Sequence, residues 1–254
     1  MKQTILAGLA IALSATCLMA QVKIKSKGEA EAYNALAKVA GAGDSDATIK
    51  AADDFLTKYA DTALKSAALD MEASAYHDKG DDDHAQVYAE QAMQADPKDF
   101  QAPLLIAETL VSHTRENDLD KEEKLTKAEK DLNLAIENTK AAVKQNPGLS
   151  DAKFEDIKKV QIAKAQALMG KLFILRKKFG DAITNLQAAT EADPQEPAYF
   201  VYLASAQLQA GKNDDAIATC DKLLAQPNLP AQVKPYATGI RNDALKAKGA
   251  AGKL

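Results

Sequence analysis

The feature that most constrains this chain is a period. Ala182 and Ala216 stand 34 residues apart. At the same offset Met169-Gly170 becomes Leu203-Ala204, Leu186 becomes Cys220 and Ala189 becomes Leu223. Small and apolar residues return at fixed points while the polar residues between them change. A repeat of this length predicts helical hairpins stacked side by side, because one hairpin cannot bury its apolar face alone. Glycine and alanine at the recurring points let two helix axes approach to roughly 8 Å. Phe173, Leu186 and Leu203 then fill the layer between neighbouring pairs.

The stretch from Ala163 to Pro230 resembles the tetratricopeptide repeat family. Its pattern asks for a large residue, Leu-Gly, an aromatic, Ala-x3-Phe and a closing proline. One copy supplies Met169-Gly170, Phe173, Phe179, Ala182, Leu186, Ala189 and Pro194. The next supplies Phe200, Leu203-Ala204, Gly211, Ala216, Cys220 and Leu223; it departs at Gln207, where the aromatic belongs, and Pro227 comes one residue early. Leu69, Ala73, Tyr76, Gly80, Ala85, Ala92 and Pro97 form a further copy in register. The expected fold is an all-α, right-handed α-solenoid of antiparallel helix pairs with a C-terminal capping helix.

Twenty residues precede that solenoid as a segment of another kind. Lys2, the apolar run Ile5 to Leu13, and Ala20 before Gln21 read as a secretory signal peptide over 1–20. The run is too short for a membrane span. Cleavage is expected after Ala20, with Cys17 as the weaker alternative. Ser14 and Thr16 are poor neighbours for lipid attachment at Cys17. The segment predicts export, with the bacterial periplasm as the expected compartment. Removing it leaves Cys220 as the single cysteine, at a position where the repeat asks for an apolar core residue.

Along the chain, residues 21–28 read as a flexible lead-in. The solenoid spans 29–247, with pairs over 29–65, 66–99, 100–147, 148–196 and 197–230, a cap over 231–247 and a flexible tail over 248–254. Gly41-Ala42-Gly43 turns the first pair, and Asp44 or Ser45 caps its second helix. The third pair is irregular. After Leu104, Ile106, Ala107, Leu110 and Val111 comes a polar insert near Ser112 to Asp118, then a helix from about Asp118 to Gln145. Asp151 to Lys177 reads as one long helix. A last helix, from Val233 to about Lys246, has an apolar stripe at Tyr236, Ile240, Ala244 and Leu245 and a polar remaining face, as a solenoid cap requires.

Little in the sequence points to chemistry. Lys and Arg are scattered and the net charge is −4, which argues against nucleic acid. The three histidines, His77, His84 and His113, cannot populate a rich metal site. The run Asp81-Asp82-Asp83-His84 reads as a helix start, where acids meet free amides and the positive end of the dipole. Adjacent carboxylates such as Asp53-Asp54 and Asp214-Asp215 diverge by about 100° on a helix and share no site. No nucleophile, base and oxyanion donor converge, so neither an enzyme, a cofactor nor a resident metal is expected.

What the resemblance implies is a concave groove lined by the first helix of each pair. Carried over residue by residue, its lining is Asn34, Lys38, Asp70, Ser74, His77, Asp78, Leu104, Glu108, Lys164, Lys171, Ile174, Val201, Ser205 and Gln209. Asp70, Leu104 and Ala167 stand where a clamp for a C-terminal carboxylate needs a base or an amide, so that clamp is absent. The mix suits an extended peptide or a partner helix. The expected role is a non-enzymatic scaffold or adaptor in the cell envelope. The alternatives are a chaperone-like factor for outer-membrane or secreted proteins, and self-association through the repeat surfaces.

Overall fold

The computed structural model describes residues 24–144 and 148–251. The signal-peptide reading of 1–20, residues 21–23, Pro147 and the tail at 252–254 lie outside the described residues. Among the described residues there are eleven helices and no strand. They are α1 Lys27–Gly41, α2 Ser45–Lys58, α3 Lys65–Asp78, α4 Asp82–Ala95, α5 Gln101–His113 and α6 Lys121–Ala141. Then follow α7 Asp151–Leu175, α8 Phe179–Ala192, α9 Pro197–Gln209, α10 Asn213–Leu224 and α11 Lys234–Ala251. The chain is an all-α helical-repeat solenoid. Contacts divide it into two compact units. Unit 1 holds the described residues up to Ser112 together with Asn133–Lys158; unit 2 holds His113–Leu132 and the described residues from Lys159 onward.

In unit 1 the helix expected from residue 29 begins at Lys27. Ser26 sits in extended backbone and accepts from the Glu29 N–H at 3.1 Å. Glu29 reaches back to the Lys25 N–H at 2.6 Å, a relative of the capping box. Glu29 also accepts from the Thr62 hydroxyl at 2.6 Å, and Thr62 accepts from the Leu64 N–H. These bonds hold the Glu29 carboxyl below its usual range, with the Thr62 bond the largest cause. Lead-in residues 24–26 are thus tied down: Ile24 packs on the first core cluster and Lys25 Nζ donates to the Asp61 carbonyl at 2.7 Å.

Unit 1 is layered around α3. On one side Ala67, Ala68 and Met71 pack with Tyr33 and Leu36 of α1 and Ala52 and Phe55 of α2. On the other, Leu69 and Ala73 pack with Ala89 and Ala92 of α4 and Ala102 and Ile106 of α5. Asp44 and Asp81 cap α2 and α4 from non-helical backbone. The Asp99 carboxylate takes the Gln101 and Ala102 N–H groups at the start of α5. Pro103 in that first turn has no N–H to satisfy. Asn138 donates to the Pro97 and Asp99 carbonyls, pinning the far end of α6 on the loop before α5.

Unit 2 shows the close approach that the 34-residue pattern predicts. A Cβ placed on Gly170 of α7 would lie 2.4 Å from Leu186 Cγ of α8. Glycine is required there because Leu186 already fills the space. Ala163, Ala167, Ala182, Leu186, Tyr199 and Leu203 make one cluster across α7, α8 and α9. Phe200, Leu223, Leu229 and Ala237 make another beneath α11. Arg241 pairs with Asp221 at 2.5 Å and Lys248 with Asp214 at 2.6 Å, joining α11 to α10. The α11 helix continues to Ala251, beyond the expected end near Lys246.

Three of the hairpin turns place one residue in the left-handed region at the same point of the repeat. Gly80 has φ +77° and Gly211 +72°, and between them in sequence stands Lys177 at +59°. All three turns close alike: the next residue's N–H reaches the carbonyls of Tyr76, Phe173 and Gln207 at 2.9 Å. This is the helix-ending turn that favours glycine.

Candidate functional site

The residues carried over from the repeat pattern divide by burial. Asn34 and Lys38 on α1 are exposed, as is Gln209 at the end of α9. Ser74 and His77 on α3, Glu108 on α5, Lys164, Lys171 and Ile174 on α7, and Val201 and Ser205 on α9 are half-buried. Asp70 and Leu104 are corrections. They are only 6% and 5% exposed and offer no surface to a partner. The reason for Asp70 is its position: α3 is covered on both sides, and the Asp99 carboxyl that caps α5 lies against it.

Unit 2 brings part of the predicted set together. The α7 and α9 helices share a core cluster, so their remaining faces are neighbours. Lys171 Nζ lies 5.4 Å from the centroid of the Tyr202 ring, a cation–π contact. Ser205 accepts from the Gln209 amide at 3.2 Å, one helical turn on. Ile174 packs partly on the α7–α9 cluster and Val201 on the one beneath α11. The face therefore offers a cation beside an aromatic, two half-covered aliphatics and two amide or hydroxyl groups. Tyr202 was not in the predicted set. Its signal was available, since it stands three residues before Ser205, one helical turn away.

In unit 1 the histidine and acid run is spent on local structure. Asp81 accepts from the His84 N–H at 3.3 Å and meets the His84 ring Nδ1 at 2.8 Å. His77 Nδ1 meets Asp82 at 2.8 Å. Tyr76 stacks between His84 and Tyr88, with ring centroids 5.0 and 5.2 Å away. Among the described residues no group of three or more His, Cys, Asp or Glu could hold a metal ion. In unit 2 Cys220 is fully buried, and burial pushes its thiol up to about 11, the opposite of an activated thiolate.

The polar insert of the third pair is ordered within unit 2. Asp118 accepts from the Arg115 N–H at 2.9 Å, and Lys124 pairs with Asp120 at 3.0 Å. Arg176, at the end of α7, donates to Glu122, Glu129 and Thr126 on α6. Lys177 reaches Glu116 at 2.5 Å. Leu119 stands fully exposed in this segment. Sequence reading located the insert but not its anchor, because the Arg176 contacts span about fifty residues of chain.

Comparison with known proteins agrees with this geometry. Residues 173–234 match the tetratricopeptide repeat family. A thermophilic TPR protein from Thermus thermophilus superposes with a TM-score of 0.59 at 18% identity, covering 84% of this chain and 98% of that one. Yeast Tom70 gives a TM-score of 0.52 at 18% identity, covering 86% of this chain and 39% of that one. A MamA RS-1 double mutant gives 0.51 at 16% identity, covering 79% and 95%. No curated protein matches the sequence. At these identities the likeness is one of fold. Among the described residues no helix is long and apolar enough to cross a membrane.

Proposed function

We propose that this tetratricopeptide-repeat chain is a non-enzymatic adaptor, exported to the bacterial cell envelope, that holds a protein or peptide partner on the first helices of its pairs. The observation that carries the reading is the α7–α9 face, where Lys171 and Tyr202 meet beside Ile174, Val201, Ser205 and Gln209. Half-covered aliphatics beside a cation, an aromatic and hydrogen-bonding groups suit a peptide backbone with mixed side chains. Repeats of this kind bind protein and peptide partners, which supports the role. Export rests on the apolar N-terminal run and Ala20.

Photo-crosslinking in the native envelope tests the adaptor. Probes go at Ser74, Lys171 and Ser205, with exposed Lys130 as control. One discrete partner captured from the face positions and not from Lys130 is the expected result. A broad range of envelope proteins would replace the adaptor with a chaperone-like role. No capture above the control would overturn both. Export is tested separately by fractionation and N-terminal sequencing, with a mature chain beginning at Gln21 expected. An unprocessed chain confined to the cytoplasm would overturn it.

A further inference from the structure

Glu72 is a buried group that the proposed function does not use. It lies on α3 and is 0% exposed. In the repeat it occupies the place held by Met169 and Leu203, where the first helix of a pair points into the layer between helices. Neither of its carboxyl oxygens makes a hydrogen bond of ordinary geometry. A buried carboxylate with no cation beside it is costly, and taking up a proton removes the charge.

The ionisable groups around it act in both directions, and the balance favours the proton. From α2 the Asp53 carboxyl pushes it towards the protonated form; from α4 the Tyr88 hydroxyl favours the charged form, and burial with Asp53 outweighs it. On its own helix Tyr76 stacks against Tyr88 and, on the other ring face, His84, whose ring nitrogen is engaged by Asp81. Among the described residues no lysine or arginine is in the set of groups that act on Glu72. A second carboxyl on α3 is similarly placed: Asp70, with Oδ1 lacking a partner, faces Asp99, Asp96 and the α1 phenol Tyr33. Asp99 already accepts from Ser66, Gln101 and Ala102, so Asp70 is the member of that pair left to carry a proton.

We propose that α3 is a proton-dependent element: the packing of α2, α3 and α4 around Glu72 holds while that carboxyl is protonated and loosens when the proton leaves. Burial first, then the Asp53 charge, raises the Glu72 carboxyl from 4.5 to about 7, and Asp70 shifts in the same direction. An acid raised in the folded state binds a proton that the opened state releases. Its stabilising contribution is therefore complete below pH 4.5 and is lost as pH rises towards 7. The same helix carries Ser74 and His77. Any effect on partner binding rests on the proposed face, but the device itself does not.

Hydrogen exchange of the full chain at pH 5 and pH 8, scaled for the intrinsic pH dependence of amide exchange, tests this without a partner. Peptides from α3 and α4 are expected to open on the order of ten- to a hundredfold more at pH 8. Peptides from α9 and α10, where Leu203 stands in place of the carboxyl, serve as the internal control and should show no such excess. Glu72→Gln and Glu72→Met should each remove most of the excess; Glu72→Met copies the residue at 169. An excess shared equally by α9 and α10, no excess at all, or one unchanged in both variants would overturn the proposal.

Discussion

The two units build one repeat with different cores. At three matched pairs of positions, unit 1 has Ala73 with Ala89, whereas unit 2 has Gly170 with Leu186 and then Ala204 with Cys220. A large residue on one helix is offset by the loss of a Cβ on the other. Another inward place carries Glu72 in unit 1 and Met169 and Leu203 in unit 2. The left-handed turn is made by Gly80 in unit 1 and by Lys177 and Gly211 in unit 2. The repeat therefore specifies volume and approach at each layer rather than identity. At this place of the repeat, among the described residues, a carboxyl enters the layer in unit 1, whereas unit 2 keeps the matched places apolar.

Transferring the carboxyl should break the comparison most severely. Leu203→Glu puts an acid among the buried apolar side chains of the α7–α9 cluster and should cost about 4 kcal/mol at pH 7.5. Urea unfolding at pH 7.5 and pH 5 measures this, with a smaller loss expected at pH 5. Equal losses at both would show that lost packing, not charge, dominates.

Next in size is the glycine contact. Gly170→Ala should cost about 2 kcal/mol, because its Cβ would meet Leu186 at 2.4 Å. Adding Leu186→Ala recreates the alanine pair of unit 1 and should recover part of that loss. A double-mutant cycle with strictly additive effects would mean the two positions do not share volume.

Smaller again is the turn. Lys177→Gly should stabilise by about 1 kcal/mol, since lysine at φ +59° bears a penalty that Gly80 and Gly211 do not. Thermal unfolding reads the gain. The least effect belongs to the ion pair on that lysine. Glu116→Gln should leave the melting temperature unchanged, because both side chains are about 65% exposed and solvent screens the pair. A measurable drop would show that the pair compensates the turn strain.

Much of the fold was legible in the sequence because it depends on local spacing. Asp44 and Asp81 cap helices through bonds that span only three residues, whereas the Ser26 cap lay in what read as a flexible lead-in. The long helix from Asp151 and the turn glycines were readable for the same reason. The candidate face was legible only in part. Ser74, Lys171 and Ser205 retain surface, while Asp70 and Leu104 are buried by layers contributed from elsewhere in the chain. Glu72 escaped notice although its place in the repeat was readable. An acid on a helix ordinarily points to solvent, and only the neighbouring helices show that this one does not.

By itself the sequence determined the period, the helix pairs and the points of closest approach, since helix geometry turns a spacing of residues into a face. The tertiary structure alone decided which of those faces are covered, that Arg176 anchors the polar insert through α6, and that α3 encloses two carboxyls. Those outcomes depend on side chains tens of residues away, whose arrival in one layer no local pattern records.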